Sequence, residues 1–213
     1  MQTYSTIVKF FQEGGFFMYP IALVLAVGVA IALERWLYLT RELRSNRKMW
    51  DQLMPLLQGA KYPQAMSNTN KSDVAISKIL NYGLSRLKSA RRREDIEMAM
   101  EEGLMEIMPR LERRTHYLSA FANIATLLGL LGTIIGLIQA FTAVAHAAAA
   151  EKAELLSSSI SVAMNTTAFG LIVAIPLLLI YSVLQSKTTQ IVDSLEMAAV
   201  KFLNMVTEKP REG

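Results

Sequence analysis

The chain has 213 residues, of which 52% are hydrophobic and 19% are charged, and its formal net charge is +4. An average soluble domain carries more charge, so this balance indicates membrane-spanning segments joined to a polar region. The sequence has no cysteine and only two histidines, which excludes disulfides, cysteine nucleophiles, thiolate metal sites and a histidine-rich metal site from these residues.

Three long apolar stretches follow one another along the chain. Residues 16–33 have 18 positions without a charge, residues 115–150 have 36, and residues 155–186 have 32. A helix needs about 20 apolar residues to cross a bilayer core, with a range of about 17 to 25. A buried core helix is the alternative for the first stretch. We predict three transmembrane helices, at residues 16–38, 116–147 and 157–186.

Lysine and arginine are distributed unevenly around these stretches. Of 22 such residues, 16 lie between Arg35 and Arg114, one is Lys9, one is Lys152, and four follow the third stretch. Because positive residues are retained on the cytoplasmic side, we predict that the N-terminus is outside and the C-terminus is in the cytoplasm. The remaining segments are then an amphipathic periplasmic N-terminus at 1–15, a cytoplasmic helical region at 39–115, a short periplasmic loop at 148–156, and a cytoplasmic C-terminal helix and tail at 187–213.

Apolar residues recur at helical spacing through the cytoplasmic region. We expect the first span to continue as a helix to about Gln58, with interruptions at Gly59 and Pro63 and a loop at residues 67–70. A second helix is predicted at residues 72–88.

A third cytoplasmic helix is predicted to start near Glu94 and Asp95, because acidic residues stabilise a helix N-terminus. We expect it to run on into the second span, with a kink or one open hydrogen bond at Pro109. The sequence shows no strand-like alternation of apolar and polar residues. The predicted fold class is therefore all-α: an integral membrane protein with three transmembrane helices, two of which extend into a cytoplasmic helical region.

Three consecutive arginines, Arg91, Arg92 and Arg93, raise the alternative of a nucleic-acid patch. Acidic residues follow them at once, namely Glu94, Asp95, Glu97, Glu101, Glu102 and Glu106. A surface of mixed sign binds a polyanion poorly. We therefore predict a solvated surface and no nucleic-acid partner.

Signatures of catalysis are not found. The sequence has no nucleophile elbow and no metal-ligand spacing, and its glycine-rich segment at residues 129–136 lacks the lysine of a phosphate-binding loop. We predict that the chain is not an enzyme and uses no cofactor or metal.

The second and third spans contain no Asp, Glu, Lys or Arg. Charged groups at membrane depth are costly and usually functional, so their absence is informative. If the chain moves an ion through a titrating group, a partner must supply that group.

The second and third spans carry neutral polar side chains instead of charged ones. They can hydrogen-bond between helices or line a narrow wet pathway for an ion, and spacing alone favours the packing role. The candidates are Asn123, Thr126 and Thr133 in the second span, and Ser161, Asn165, Thr166 and Thr167 in the third.

Small residues lie among these polar positions. Gly132 and Gly136 form a GxxxG pair, which permits two helices to approach closely. Pro176 is expected to kink the third span. The predicted packing positions are Gly129, Gly132, Gly136, Gly170 and Pro176.

Four segments together resemble the MotA/TolQ/ExbB family of ion-driven motor subunits. They are GGFFMYPI at residues 14–21, ER at 34–35, LGLLGTIIG at 128–136 and TTAFGLIVAIP at 166–176. Their order and depth make the resemblance specific, and it covers most of the chain. Three spans favour the ExbB/TolQ-like branch over the MotA branch, which has four.

The resemblance implies a homopentamer in the bacterial inner membrane, with the second and third spans of five copies around a central pore. A dimer of a single-span partner of the ExbD or TolR kind would stand in that pore and supply a proton-accepting Asp. Proton or sodium motive force would then drive work on a TonB-like, TolA-like or other envelope protein. Thr133 and Thr167 match the pore-facing threonines of the family.

One position departs from the family pattern. ExbB and TolQ proteins commonly carry Glu five residues before the second pore threonine, where this chain has Val162. This departure leaves the choice between H⁺ and Na⁺ open. The alternative function is a non-conducting membrane scaffold; a small permease fits three spans less well because no inverted repeat is visible.

Overall fold

The computed structural model describes residues 14–87, 89–148 and 150–207. These residues form six α-helices, and no strand occurs among them, which confirms the all-α fold class. The predicted amphipathic N-terminus lies outside the described residues up to position 13, and so does the predicted tail from 208 to 213. The helices are α1 Met18–Gln58, α2 Tyr62–Asn70, α3 Ala75–Arg86, α4 Arg93–Glu112, α5 Thr115–His146 and α6 Lys152–Thr207.

Three stretches of the described chain are long and apolar enough to cross a membrane, as predicted. They are Met18–Gln58, Arg93–His146 and Lys152–Thr207, whose most apolar windows have mean hydropathies of 1.9, 2.1 and 2.4. The second stretch contains both α4 and α5. The helices α1 and α6 have 41 and 56 residues, so each extends well beyond the length that a bilayer requires.

The end of α1 confirms one expectation and corrects another. The helix continues to Gln58 and stops where Ala60 adopts a left-handed backbone with φ of 54°. The loop predicted at residues 67–70 is wrong, because these residues lie in α2. Pro63 stands in the first turn of that helix, where its missing N–H costs nothing. The proline therefore starts a helix here.

The predicted continuity of the third cytoplasmic helix with the second span is also wrong. Helix α4 runs through Pro109 and ends at Glu112, and α5 begins at Thr115. Between them Arg114 has a φ of 64°, in the left-handed region that non-glycine residues rarely adopt. The guanidinium of Arg114 donates a hydrogen bond of 3.2 Å to the Glu34 carboxylate, which fixes the side chain at this turn.

The helices are divided between two compact units. We call residues 14–34 and 114–183 the apolar unit, and residues 35–113 and 184–207 the charged unit. Helices α1 and α6 contribute residues to both.

In the apolar unit, α5 and α6 contact each other backbone to backbone. A Cβ atom on Gly170 would lie 2.7 Å from the carbonyl oxygen of Ala125 and 3.1 Å from Cα of Gly129. A Cβ on Gly132 would overlap the side chain of Thr166, and one on Gly136 would lie 2.9 Å from Cβ of Ala163. These glycines therefore let two helices of the same chain pack closely.

In the charged unit, side chains of α1 cap the start of α3. The backbone N–H of Ala75 donates to Oε1 of Glu42 at 3.1 Å, and that of Ile76 donates to Oδ1 of Asn46 at 2.9 Å. The residue before α3, Val74, provides no capping side chain. Because the first N–H groups of a helix have no partner within it, α1 supplies acceptors that α3 lacks.

A buried arginine joins α1 to α4 in the same unit. Arg35 is only 3% exposed, and its guanidinium donates to the carbonyl of Leu111 near the end of α4. Its Cζ lies 4.9 Å from the ring centroid of Tyr38. The largest side chains of the surrounding core are Leu39, Leu53, Leu57, Ile79, Leu80, Met100, Leu111 and Phe202.

Replacing Gly170 by Leu should destabilise the apolar unit, because the new side chain has no space against Ala125 and Gly129. Overpacking of this kind costs about 1 to 3 kcal/mol. The matched control is Ala168→Leu, at an exposed position two residues away on the same helix. Thermal unfolding in detergent should show a lower Tm for Gly170→Leu alone; equal melting temperatures for the two variants would contradict the packing.

Replacing Asn46 by Ala should destabilise the charged unit by about 1 to 2 kcal/mol, because the N–H of Ile76 loses its acceptor in a buried setting. Arg47→Ala is the control, since Arg47 is exposed on the same helix. The check is the denaturant midpoint of the full-length chain, and an Asn46→Ala midpoint equal to that of the control would refute the capping role.

Candidate functional site

Thr133 of α5 and Thr167 of α6 meet at the contact between these two helices. Their hydroxyl oxygens are hydrogen-bonded to each other. Both also reach the carbonyl oxygen of Gly129, at 3.2 Å from Thr133 and 3.0 Å from Thr167. The two threonines predicted from the sequence to face a pore therefore form one cluster, which we call the threonine pair.

The threonine pair can hold its protons in two arrangements. Each hydroxyl has one proton to donate, and either threonine can be the donor between them. In one arrangement Thr133 donates to Thr167, which donates to Gly129; in the other, Thr167 donates to Thr133, which donates to Gly129. Exchange between these arrangements reverses the direction of a short hydrogen-bonded chain without a charged group.

Local sequence explains how the pair forms. Thr133 is one helical turn after Gly129, so its hydroxyl reaches that carbonyl within its own helix. Thr167 reaches the same carbonyl from α6, because the facing glycines bring the backbones together. Both threonines are half-buried. The Gly129 carbonyl was not among the sequence candidates, and the spacing of four residues to Thr133 was the signal available for it.

Thr166 points elsewhere. It is 2% exposed, and its hydroxyl bonds to the carbonyl of Gly14 at 2.6 Å and to that of Val162 at 2.9 Å. A buried hydrogen bond thus ties the chain just before α1 to α6. This geometry favours a packing role for Thr166.

Val162 lies beside the same segment. Its Cγ1 is 3.2 Å from the position that a Cβ on Gly15 would take, and Gly15 has a φ of 73° that favours glycine. At Val162 this chain therefore packs an apolar side chain against a glycine turn.

The other polar candidates are not joined to the threonine pair. The Thr126 hydroxyl donates to Ala122 of its own helix at 3.1 Å. Asn123 and Ser161 are exposed and Asn165 is half-buried. Pro176 is exposed on α6, in contrast to the predicted packing glycines. In the described ranges no hydrogen bond connects these side chains to Thr133 or Thr167.

The surroundings of the pair are apolar and uncharged. Several large apolar side chains of α5 and α6 are more than half exposed, as expected for a surface that contacts lipid or other subunits. Residues 115–148, 150 and 155–183 of this unit include no Asp, Glu, Lys or Arg, and no cluster of potential metal ligands occurs in the part of the chain that the structure describes. The exposed side chains include Leu127, Ile138, Phe141, Met164 and Leu179.

A model of the MotA/TolQ/ExbB proton channel family matches residues 71–197 of the chain. The chain is 30% identical over 196 residues to the biopolymer transport protein ExbB homologue of Methanothermobacter thermautotrophicus, across 91% of this chain and 68% of that protein. It is 30% identical over 187 residues to the ExbB-like protein 1 of Synechocystis, across 86% and 72%. It is also 28% identical over 173 residues to the Tol-Pal system protein TolQ of Haemophilus influenzae, across 76% and 75%.

These matches confirm the resemblance seen in the sequence, including the ExbB/TolQ-like branch. The family is one of transport and channel proteins, and its match with three long apolar helices identifies a multi-pass membrane protein. More than half of the sequence lies within the matched region. The chain belongs to the MotA/TolQ/ExbB proton channel family.

Proposed function

We propose that this chain is the ion-channel subunit of an inner-membrane motor. Five copies would form a ring, with α5 and α6 of each copy around a central pore. The observation that carries the proposal is the threonine pair, in which two hydroxyls are hydrogen-bonded to each other and to one acceptor carbonyl at the contact of α5 and α6. Proton or sodium motive force would drive the motor.

The proton-accepting carboxylate would come from a partner. The threonine pair carries no titrating group, and the uncharged runs around it supply none. Members of the ExbB/TolQ branch work with ExbD- or TolR-like partners, and we propose that two copies of such a single-span protein stand in the pore. Hydroxyls that change their donor direction would then pass a proton to or from the carboxylate, or hold the water that does so.

The work would be done on an envelope protein of the TonB or TolA kind, or on another effector. The distribution of basic residues supports an orientation in which the N-terminus is periplasmic and the charged unit is cytoplasmic. In this assignment Thr133 and Thr167 are pathway residues. Thr126, Asn123, Ser161 and Asn165 are further pore-lining positions, and Thr166 holds the start of α1.

Replacing both Thr133 and Thr167 by Val should leave an assembled but inactive complex, because volume is nearly kept and both hydroxyls are lost. Proton uptake by proteoliposomes containing the complex should fall to the background leak. The double Ser variant keeps the hydroxyls and should retain uptake. Thr142→Val is a further control, since its exposed hydroxyl bonds only Ile138 of its own helix.

If proton uptake survives the double Val replacement, Thr133 and Thr167 are not pathway residues. The chain would then fit a non-conducting scaffold better, with polar side chains that only pack helices. Loss of uptake in the Ser variant as well would contradict a role that the hydroxyls fulfil by themselves, because Ser keeps the hydroxyl and lacks only the methyl group.

Native mass spectrometry of the complex, purified after co-expression with neighbouring genes, tests the assembly. We expect five copies of this chain with two of a small single-span protein. A lone dimer or an irregular array without a small partner would contradict the ring.

A further inference from the structure

The charged unit contains a cavity of about 1530 Å³ that the ion pathway does not use. Its walls come from α2, the end of α3, the turn before α4 and the last turn of α6. The floor is apolar, with Leu84 and Ile96 only 5% and 7% exposed. Tyr62, which is half-buried, forms part of the wall. A ligand with a flat apolar body could therefore lie against this surface.

Cations surround this cavity. Lys71, Arg91, Arg92 and Arg93 line it, and none of the described lining residues is acidic. Two ion pairs are seen in the described chain, Lys78 with Asp73 and Arg114 with Glu34, and neither involves these four cations. Like charges around one hollow repel each other and raise the local concentration of anions.

Neighbouring side chains hold the arginines in place. Oδ2 of Asp95 accepts hydrogen bonds from the backbone N–H groups of Arg91 and Arg92, at 2.9 and 3.0 Å. These two bonds hold the pKa of Asp95 below its usual value, and the bond from Arg92 has the larger effect. The carboxylate therefore stays ionised at neutral pH. Nη2 of Arg93 donates to Oδ1 of Asn204 on α6 at 2.9 Å. The backbone of this turn and one guanidinium are thus positioned before any ligand arrives.

The surroundings favour a small anion over a long one. An adjoining hollow is lined by the cations Arg86 and Arg91 and by three carboxylates, those of Asp95, Glu101 and Glu102. These carboxylates would repel a polyanion that extended beyond the cavity. An organic phosphate that fits inside the cavity avoids these carboxylates.

In the membrane orientation proposed above, on which this inference rests, the cavity is also far from the bilayer. Lys187 lies over the ring of Trp36, with Nζ 3.4 Å from the centroid, and such a pair is typical of a membrane interface. Thr207, which lines the cavity, is further along the same helix by roughly 30 Å at 1.5 Å per residue. A lipid headgroup would not reach it, so the ligand should be soluble.

We propose that this cavity binds a small, water-soluble organic phosphate, with its phosphate on the arginines and its apolar body against Tyr62 and the floor. The planar guanidinium presents a fork of N–H donors that matches phosphate oxygens. The site is separate from the threonine pair, so its test does not depend on ion transport.

The test uses the full-length chain in phosphatidylcholine nanodiscs, titrated with a fluorescent N-methylanthraniloyl derivative of ADP. We expect saturable binding that weakens at least about tenfold in Arg91→Gln/Arg93→Gln, because charge-assisted hydrogen bonds are lost. The control is Arg44→Gln/Arg47→Gln, which removes two exposed cations of α1 outside the cavity and should leave binding unchanged. Pyrophosphate should compete less well than ADP, since it lacks the apolar body.

Several results would overturn the proposal. These are the absence of saturable binding at millimolar probe, equal weakening in the control, or equal competition by pyrophosphate. Displacement of the probe when phosphatidylglycerol replaces phosphatidylcholine would assign the site to lipid headgroups. Matched melting temperatures must show that the variants fold. If Arg91→Gln/Arg93→Gln does not fold, Lys71→Gln replaces it, because Lys71 lines the cavity at an exposed position. Unchanged probe binding in Lys71→Gln would then contradict the site.

Discussion

The contact between α5 and α6 at Gly129 and Gly170 is the constraint on which the candidate pathway depends. Apolar side chains gain little by leaving lipid for one another, so helices in a membrane associate through close packing and hydrogen bonds. Here the absence of two side chains lets the backbones touch. The hydroxyls of Thr133 and Thr167 meet because of that contact, and they in turn bridge the two helices at the carbonyl of Gly129.

The threonine pair lacks a titrating group that could take up and store a proton. A pair of neutral hydroxyls can pass or orient a proton, but it cannot store one as a carboxylate does. Val162, one turn before Thr166 on α6, is apolar and packs against the turn at Gly15. The proposed division of labour follows: this chain supplies a neutral, reversible hydrogen-bonded path, and a partner supplies the charge.

The sequence predicted the features that depend on composition and periodicity. Apolar length predicted three candidate spans, and helical spacing predicted the extension of α1 to Gln58. The turn at Arg114 was not predictable because neither Arg113 nor Arg114 signals a break. The loop at 67–70 was predicted wrongly because Ser67, Asn68 and Asn70 form the exposed face of a short helix, while Thr69 is buried. The bonds of Thr166 to Gly14 and of Asn46 to Ile76 join segments that are distant in sequence, so no local pattern reveals them.

The most direct test of the central claim is a cross-link between this chain and the proposed pore partner. Because the natural sequence has no cysteine, Thr167→Cys introduces a single thiol, and the partner's membrane Asp can be replaced by Cys. Mild oxidation of the complex in membranes should link the two proteins through Thr167→Cys, whereas Leu127→Cys, on an exposed face of α5, should give no link. A link at Leu127→Cys with none at Thr167→Cys would contradict the account, because the threonine pair would then face away from the partner's carboxylate.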